Sequence, residues 1–337
     1  MIRFGLLGAA RIAPSALIYP CMNEPQARVS VMAARDRGRA ERFAEAHHIR
    51  EVVDRYDEVL AHPKVNAIYI PLHIPAHHPW TLKALAAGRH VLVEKSFSCN
   101  AAEAEQMHQA AVASGLILTE AFHYRYHPLF HRCREIVQSG ELGEIAEIDA
   151  VFQIAVTDTN DIRMNYELGG GVTMDIGCYP VSWVRHLTGL EPETIRATAE
   201  VGPPFVDVML ETVMQMPGGI IARTRGDMRE GVQFKAEITV AGSQGVLHVD
   251  NIISPQMGHL LTVTVDGKRR QEKVDRRPTF AYQLDAFVEA VATGSTMLTD
   301  SADAVRQMTV IDRCYEAAGL PLRGLADITE AVKAGRT

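Results

Sequence analysis

Lys95 is the residue of this chain that is best placed for chemistry. It follows the apolar run 91–93 and Glu94, and helical patterns lie on both sides of this segment, the second of which is predicted to be capped by Asn100. Such a run between helices predicts a buried parallel strand. Lys95 would then lie at the carboxyl edge of a sheet, where open α/β sheets bind ligands and where burial and neighbouring charges tune a pKa. The alternative is a lysine that only extends its ammonium into water, and position alone favours that alternative.

A second group of chemically capable residues follows the triple glycine 169–171. Asp175 and Tyr179 are four residues apart in a helical pattern over 173–187, so they share one helix face. An acid, a tyrosine and a lysine form a set that can transfer a proton, because a nearby ammonium stabilises a phenolate. Asp175 could bind a substrate hydroxyl or position the lysine. Without Lys95, an aspartate favoured by the helix dipole and a half-buried tyrosine would explain the same residues.

The start of the chain has a weak dinucleotide-binding fingerprint. The strand pattern 2–7 runs into Gly8, and Ala10 and Ala13 stand where the fingerprint has its other two glycines. Gly8 permits the tight turn, and Ala10 is small enough to leave the main chain near a pyrophosphate. Taken alone, this motif is equally compatible with a plain strand, turn and helix.

The end of the second predicted strand, 29–33, bears on the choice of cofactor. Arg35 and Asp36 follow that strand, where the adenosine ribose would lie. A planar guanidinium suits a 2′-phosphate, whereas an acidic residue binds a 2′-hydroxyl. We therefore predict NADP in preference to NAD. The alternative is that the two residues form only a solvated loop pair.

The order of the predicted elements indicates an α/β chain of two domains. Strands alternate with helices over about the first 120 residues, which predicts a doubly wound parallel Rossmann sheet. Beyond it, strands without intervening helices predict an α+β domain with an open, mostly antiparallel sheet. These strands are predicted at 145–156, 194–201, 207–215, 219–225, 233–240, 245–249 and 260–265, and the closing helices at 280–292 and 301–318. We assign residues 1–122 to dinucleotide binding and residues 123–337 to substrate binding.

Composition excludes several classes of protein. The 337 residues are 47% hydrophobic and 22% charged, as in ordinary globular proteins. The net charge of −7 argues against nucleic acid or an anionic membrane as the main partner. No apolar run approaches the ~20 residues of a membrane span, and no signal-peptide region is expected. The five scattered cysteines predict reduced thiols in a cytoplasmic protein. No metal site is predicted, because the histidine pairs 47–48 and 77–78 lack helical i, i+4 spacing.

Together these motifs resemble the Gfo/Idh/MocA oxidoreductases over nearly the whole chain. The segments that carry the resemblance are 8–13, 34–36, 88–95, 125–128, 169–171, 175–179, 242–245 and 315–319. Within the family the chain is most similar to the dihydrodiol dehydrogenase, NADP-dependent xylose dehydrogenase and glucose–fructose oxidoreductase subgroup. The resemblance implies a Rossmann domain, a sheet domain used for dimer contacts, and hydride transfer between NAD(P) and a carbinol. It also implies that Lys95 is the catalytic lysine, Tyr179 the acid/base and Asp175 a substrate-binding acid.

Two departures from the family pattern concern the loops around the cofactor. Ser96 stands where the family usually has proline, which releases a fixed φ and adds a main-chain donor. His73 and Ile74 stand where the family often has Pro-Asn, in a loop that contacts the cofactor in relatives. We expect both loops to be placed differently from the family pattern.

The predicted site residues fall into three groups. The catalytic residues are Lys95, Tyr179 and Asp175. The cofactor-binding residues are Gly8, Ala10, Arg11, Ile12, Arg35, Leu72, His73, His77, Glu94 and Lys95. The substrate-binding residues are His123, Arg125, Arg163 and Asp175.

These residues predict an NADP-dependent oxidoreductase that transfers a hydride between the nicotinamide and a carbinol or carbonyl carbon of a sugar, polyol or diol. A non-catalytic NADP-binding sensor on the same fold is the alternative, because a fold does not determine a function. The expected partners are a small-molecule substrate and further copies of the chain, as a homodimer or homotetramer through the C-terminal sheet. A metal-dependent hydrolase is not expected.

Overall fold

The computed structural model describes residues 1–324, so residues 325–337 of the predicted second domain lie outside the described part. Contacts divide the chain into two compact units. The first unit comprises Met1–Tyr126 and Arg277–Arg306. The second comprises His127–Arg276 and the described residues from Gln307 onward.

The first unit is built on a six-stranded sheet in which all strand pairs are parallel. The strands are β1 (Ile2–Leu7), β2 (Ala27–Ala33), β3 (Glu51–Val52), β4 (Ala67–Ile70), β5 (His90–Val93) and β6 (Leu118–Glu120). Their spatial order is β3-β2-β1-β4-β5-β6, which is the Rossmann order and confirms the predicted doubly wound sheet. The order reverses between β1 and β4, so ligand-binding loops are expected at the carboxyl ends of these strands.

The second unit contains an eight-stranded sheet. Its strands are β7 (Ile145–Gln153), β8 (Thr194–Val201), β9 (Asp207–Gln215), β10 (Ile221–Asp227), β11 (Lys235–Gly242), β12 (Gly245–Asp250), β13 (Leu260–Val265) and β14 (Lys268–Glu272). The spatial order is β14-β13-β12-β11-β7-β10-β9-β8. Among the described strands of this sheet, only β7 and β10 pair in parallel, and the other neighbours are antiparallel. The predicted open, mostly antiparallel sheet is therefore confirmed.

The edge strand β14 is an element that sequence patterning did not predict. Its residues Lys-Arg-Arg-Gln-Glu lack the apolar alternation of a half-buried strand. The turn before it has φ values of 49° at Asp266 and 74° at Gly267. Positive φ at both central residues is what a tight hairpin requires. The hairpin, together with pairing to β13, makes this charged segment a strand.

The helices connect the strands and flank both sheets in sequence. They are α1 (Tyr19–Asn23), α2 (Arg37–Ala46), α3 (Tyr56–Ala61), α4 (His77–Ala86), α5 (Ala101–Ser114), α6 (Pro128–Gln138), α7 (Cys178–Thr188), α8 (Thr279–Thr293) and α9 (Ser301–Ala317). Single π-helical turns, Pro14–Ile18 and Thr173–Gly177, lead into α1 and α7. The predicted cap of α5 is present, because the Asn100 side chain accepts a hydrogen bond of 3.0 Å from the Glu103 N–H.

Helix α8 belongs to the first unit although the sequence places it after the second sheet. Its Leu284 and Phe287 are buried in the same hydrophobic core as Phe4 of β1. The rings of Phe4 and Phe287 have centroids 5.3 Å apart. Burial of apolar surface, and not chain order, decides which unit a helix joins.

Candidate active site

Lys95 lies just beyond the end of β5, at the carboxyl edge of the parallel sheet. The peptide between Lys95 and Ser96 is cis. The strand residues 91–93 are fully buried, and Lys95 is half-buried between buried Glu94 and Ser96. The Glu94 carboxylate accepts a hydrogen bond of 2.5 Å from the Tyr69 hydroxyl on the neighbouring strand β4. By its position after β5, the lysine occupies the edge at which parallel sheets bind ligands.

His77 lies at the same edge, at the first position of α4. Its Nδ1 is 2.9 Å from the Ser96 carbonyl oxygen, and its Nε2 is 3.0 Å from the Leu72 carbonyl oxygen. The side chain is fully buried, and burial lowers the pKa of His77 to about 4. Both ring nitrogens thus contact main-chain carbonyl oxygens. Any contribution of His77 to cofactor binding would therefore be indirect, through the position of the two loops that it contacts.

Gly8 forms the turn that follows β1. Its φ of 94° strains any residue with a side chain. A Cβ at this position would lie 2.9 Å from Leu72 Cδ2 and 3.7 Å from the Tyr56 hydroxyl oxygen. The Gly8 N–H donates to the Ala33 carbonyl at 2.7 Å, which joins the turn to the end of β2. Glycine is therefore needed here both for backbone conformation and for the close approach of Leu72.

The loop after Gly8 presents main-chain donors. Within the described residues, no acceptor receives a hydrogen bond from the N–H groups of Ala10 and Ile12. Arg39 of α2 donates to the Ala9 carbonyl at 2.8 Å and so fixes the loop from the other side. Arg11 is exposed. Small side chains together with such N–H groups form the kind of cradle that binds a pyrophosphate.

The end of β2 carries the residues predicted to select the cofactor. Arg35 is exposed, whereas Asp36 caps α2 by accepting a 2.5 Å hydrogen bond from the Arg39 N–H. Burial, with a smaller contribution from the Arg35 charge, lowers the pKa of His73. The His73 Nδ1 is buried, and no described residue hydrogen-bonds to it. The cradle and this buried polar nitrogen fit a dinucleotide, with Gly8, Ala10, Ile12, His73 and Arg35 as the residues that would hold it.

Tyr179 and Asp175 lie in the second unit, where the π-helical turn runs into α7. Tyr179 is 6% exposed. Its ring packs edge-on against Phe152 of β7, with centroids 5.5 Å apart, and against Trp183 at 6.4 Å. These contacts fix the ring and with it the position of the hydroxyl group.

Arg163 contacts the predicted substrate-binding acid directly. Its Nε donates to Asp175 Oδ2 at 2.5 Å, and its Nη1 donates to Asp161 Oδ2 at 3.2 Å. All three side chains are partly exposed. Two of the predicted substrate-binding residues are thus brought together as an ion pair that can orient a hydroxyl group.

Gly171, the last residue of the triple glycine, is explained by residues that sequence reasoning missed. Asp207 and Arg323 form a fully buried ion pair of 2.6 Å. Asp207 also accepts a 2.8 Å hydrogen bond from the Thr173 N–H, at the start of the turn that carries Asp175. Burial raises the pKa of the Asp207 carboxyl, and Arg323 opposes that rise. A Cβ on Gly171, whose φ is 131°, would overlap Asp207 Oδ1 and lie 2.7 Å from Arg323 Nη2.

His123 and Arg125, predicted to bind substrate, lie in the interior of the first unit. His123 Nδ1 is 2.7 Å from the Thr279 hydroxyl oxygen. Arg125 is 7% exposed and donates to Asp303 Oδ2 at 2.8 Å. These contacts join the turn 123–126 to the segments that begin α8 and α9. Direct substrate contact by either residue stays a prediction.

Across residues 1–324 no group of three or more His, Cys, Asp or Glu side chains is arranged to hold a metal ion. Among the helices of this same range, none has the length and apolar character needed to cross a membrane.

Comparison with known proteins places the chain in a family. The family described as "Oxidoreductase family, NAD-binding Rossmann fold" matches residues 2–122, and "GFO/IDH/MocA C-terminal domain" matches residues 130–248. D-xylose 1-dehydrogenase (NADP(+)) 2 of Haloferax volcanii is 32% identical, covering 94% of this chain and 97% of that protein. Trans-1,2-dihydrobenzene-1,2-diol dehydrogenase of Mus musculus is 29% identical, covering 80% of this chain and 79% of that protein.

This chain is also similar to a solved structure. A 3-ketoreductase from Actinomadura kijaniata, in complex with NADP and TDP-benzene, superposes with a TM-score of 0.84 at 28% identity. The match covers 92% of this chain and 96% of that chain. The chain belongs to the Gfo/Idh/MocA family of oxidoreductases, and its first unit is an NAD(P)-binding Rossmann fold.

Proposed function

We propose that this protein is an NADP-dependent dehydrogenase or reductase that transfers a hydride between the nicotinamide and a carbinol or carbonyl carbon of a sugar, polyol or diol. The observation that carries the proposal is the half-buried Lys95 after β5, at the same carboxyl edge of the parallel sheet as the dinucleotide turn at Gly8 after β1, with β4 between the two strands. A xylose dehydrogenase, a dihydrodiol dehydrogenase and a ketoreductase among the relatives support the substrate class.

NADP, when bound, supplies the hydride acceptor for oxidation and the hydride donor for reduction. In the oxidative direction Tyr179 takes the hydroxyl proton as the carbon–oxygen double bond forms, and it returns the proton in reduction. The ammonium of Lys95 stabilises the negative charge that develops on the oxygen. Asp175, oriented by Arg163, accepts a hydrogen bond from a neighbouring substrate hydroxyl, which suits a substrate with more than one hydroxyl group. His123 and Arg125 complete the proposed substrate contacts.

Two further properties belong to the proposal. We propose residues 1–122 as the dinucleotide-binding domain and residues 123–337 as the substrate-binding domain, a division supported by family matches at residues 2–122 and 130–248. We also propose a cytoplasmic protein that assembles as a homodimer or homotetramer through the eight-stranded sheet.

The test combines cofactor binding with turnover. Fluorescence titration with NADPH and NADH comes first, followed by assays with a panel of pentoses, hexoses, polyols and trans-diols. Turnover of any panel member, with tighter binding of NADPH, is the expected result. Cofactor binding without turnover across the panel would instead favour the non-catalytic sensor.

Lys95→Met tests the catalytic assignment within the same assay. Acid–base and charge assistance is worth about 10²-fold or more, so kcat should fall by that factor while the NADPH Kd changes little. Lys83→Met is the matched control, because Lys83 is exposed on α4 and pairs with Asp57. Turnover by Lys95→Met at the wild-type rate would show that the lysine is not catalytic.

A further inference from the structure

His77 lies between the two loops that carry the proposed chemistry. Strands β4 and β5 pair in parallel up to Ile70 and Val93, so the loops that follow them leave the sheet side by side. The first loop contains Leu72 and the second contains Lys95. The His77 ring contacts one main-chain carbonyl of each loop, through Nε2 and Nδ1 respectively.

The contacts continue from these loops to the functional residues. Leu72 packs so closely on the turn after β1 that a Cβ on Gly8 would lie 2.9 Å from its Cδ2. On the other side, the carbonyl that His77 Nδ1 meets belongs to Ser96, the residue bonded to Lys95. One fully buried side chain therefore joins the dinucleotide turn to the main chain beside the lysine.

A buried imidazole in this position is a specific link and not general packing. Because the ring is neutral at neutral pH, it carries one N–H, which can serve one of the two carbonyls as a hydrogen-bond donor. A buried carbonyl oxygen that loses its hydrogen-bond donor bears the full desolvation cost. We therefore expect the loop that contains this carbonyl to shift when the histidine donor is removed.

We infer that His77 is a positioning residue for Lys95, and that it acts by holding the Ser96 carbonyl through Nδ1. This inference rests on the proposed role of Lys95. It goes beyond that role because it assigns the placement of the lysine to a histidine that touches neither substrate nor reacting atoms.

Three substitutions separate the two ring nitrogens. His77→Asn keeps an amide donor near the position of Nδ1, His77→Gln keeps one near Nε2, and His77→Phe keeps a ring without donors. His77→Asn should retain kcat within a few-fold, whereas the Gln and Phe variants should lose about 10- to 100-fold, the typical cost of a misplaced catalytic group. His78→Phe is the control, because the neighbouring His78 contacts Gln106 instead. It should behave as the wild type.

Readouts besides activity keep the inference independent of turnover. Thermal unfolding of each variant shows the folded fraction, and NADPH titration shows the dinucleotide site. Reductive ¹³C-methylation, with the Lys95 signal assigned by its absence in Lys95→Met, reports the surroundings of the ammonium by NMR. That signal should stay near its wild-type shift in His77→Asn and move in His77→Gln and His77→Phe.

The inference is overturned if all three His77 variants keep both the wild-type kcat and the wild-type Lys95 signal. It is also overturned if His77→Gln keeps kcat and His77→Asn does not. A third contrary result is a loss of kcat that follows the melting temperature of the variants instead of the ring nitrogen that each one replaces. If the wild type turns over nothing, the proposed function fails, and the Lys95 signal alone still decides the role of His77.

Discussion

Tyr179 keeps its ring in the core of the second unit, so phenylalanine at this position preserves the packing and removes only the hydroxyl. If the tyrosine is the base in oxidation and the Lys95 ammonium stabilises its phenolate, the rate of oxidation should rise with pH with an apparent pKa below the ordinary tyrosine value of about 10. Tyr179→Phe should abolish this rising limb and lower kcat by about 10² or more, with little change in cofactor affinity. The measurement is kcat against pH for both proteins.

A histidine is the competing proton carrier in that experiment. His127 is buried, and its Nδ1 accepts a 3.0 Å hydrogen bond from the Leu129 N–H as the cap of α6. Retention of activity and of the pH profile in Tyr179→Phe, with loss of both in His127→Asn, would assign the proton transfer to the histidine.

Arg35 is the residue proposed to select NADP. It is exposed at the end of β2, while the adjacent Asp36 carboxylate is engaged in capping α2. Loss of a charge-assisted contact to the 2′-phosphate should cost about 1.5–3 kcal/mol, so Arg35→Ala should weaken NADPH binding by roughly 10- to 100-fold and leave NADH nearly unchanged. Titration with both cofactors measures the difference. Equal weakening of the two would exclude Arg35 as the selector and make Asp36 a candidate ribose ligand.

At the scale of elements, the turn before α7 depends on the buried pair beneath the triple glycine. Gly171→Ala adds a Cβ that overlaps Asp207 Oδ1 at a φ of 131°, so the ion pair with Arg323 must separate or the turn must move. Breaking a buried pair costs about 3–5 kcal/mol, and the free energy of unfolding should fall by a comparable amount. Urea unfolding measures this change.

Gly218→Ala is the matched control for that substitution. Gly218 also has a positive φ, 80°, but an added Cβ meets nothing within 4 Å. Only the backbone strain of about 1 kcal/mol is then expected. Similar losses in the two variants would mean that backbone strain, and not the ion pair, explains why glycine stands at 171.

The edge strand β14 is held to α6 by a carboxylate whose ionisation sets a pH dependence. Glu272 accepts hydrogen bonds of 2.6 and 3.0 Å from Arg132 and one of 2.8 Å from Arg270, and these arginines lower its pKa from 4.5 to about 2. The pKa of Glu272 is lower in the folded state than in the unfolded state. Ionised Glu272 therefore stabilises the folded state fully above pH 4.5, and this stabilisation is lost as the pH falls toward 2.

Glu272→Gln should therefore lower the free energy of unfolding at pH 7 by about 1 kcal/mol, a value limited by the solvent at this partly exposed pair. The difference between wild type and variant should shrink below pH 4.5. Denaturant unfolding at several pH values measures it. Glu135→Gln provides the comparison, since Glu135 also meets Arg132 but its side chain is 66% exposed. A difference for Glu272→Gln that does not change with pH would contradict the ion pair.

At the scale of the whole molecule, the eight-stranded sheet is the proposed surface of assembly. On β9 the side chains of Thr212 and Met214 are buried, while Val213 between them is partly exposed on the other face. Strand register places Val213 directly between Arg196 of β8 and Arg223 of β10. A further positive charge here would concentrate like charges on the face that two copies are proposed to share.

Val213→Arg should therefore shift the sedimenting mass toward the monomer without loss of NADPH binding. Val112→Arg is the control, since Val112 is 68% exposed on α5 of the other unit and should leave the mass unchanged. An oligomer that persists in Val213→Arg would place the assembly surface elsewhere.

Local sequence was enough to predict the element types and the position of Lys95. The buried run before the lysine, the Asn100 cap and the change from alternating elements to successive strands are short-range patterns, because each reflects burial or hydrogen bonding within a few residues. The doubly wound parallel sheet and the mostly antiparallel sheet follow from such patterns.

Only the tertiary structure decided which distant residues support the site. Asp207 and Arg323 lie far along the chain from Gly171, α8 returns to the core of the first sheet, and β14 is a strand only because β13 pairs with it. His77 likewise gains its neighbours from two separate loops. Such contacts leave no periodic signal, because they depend on burial and close approach between segments that the chain brings together only when it folds.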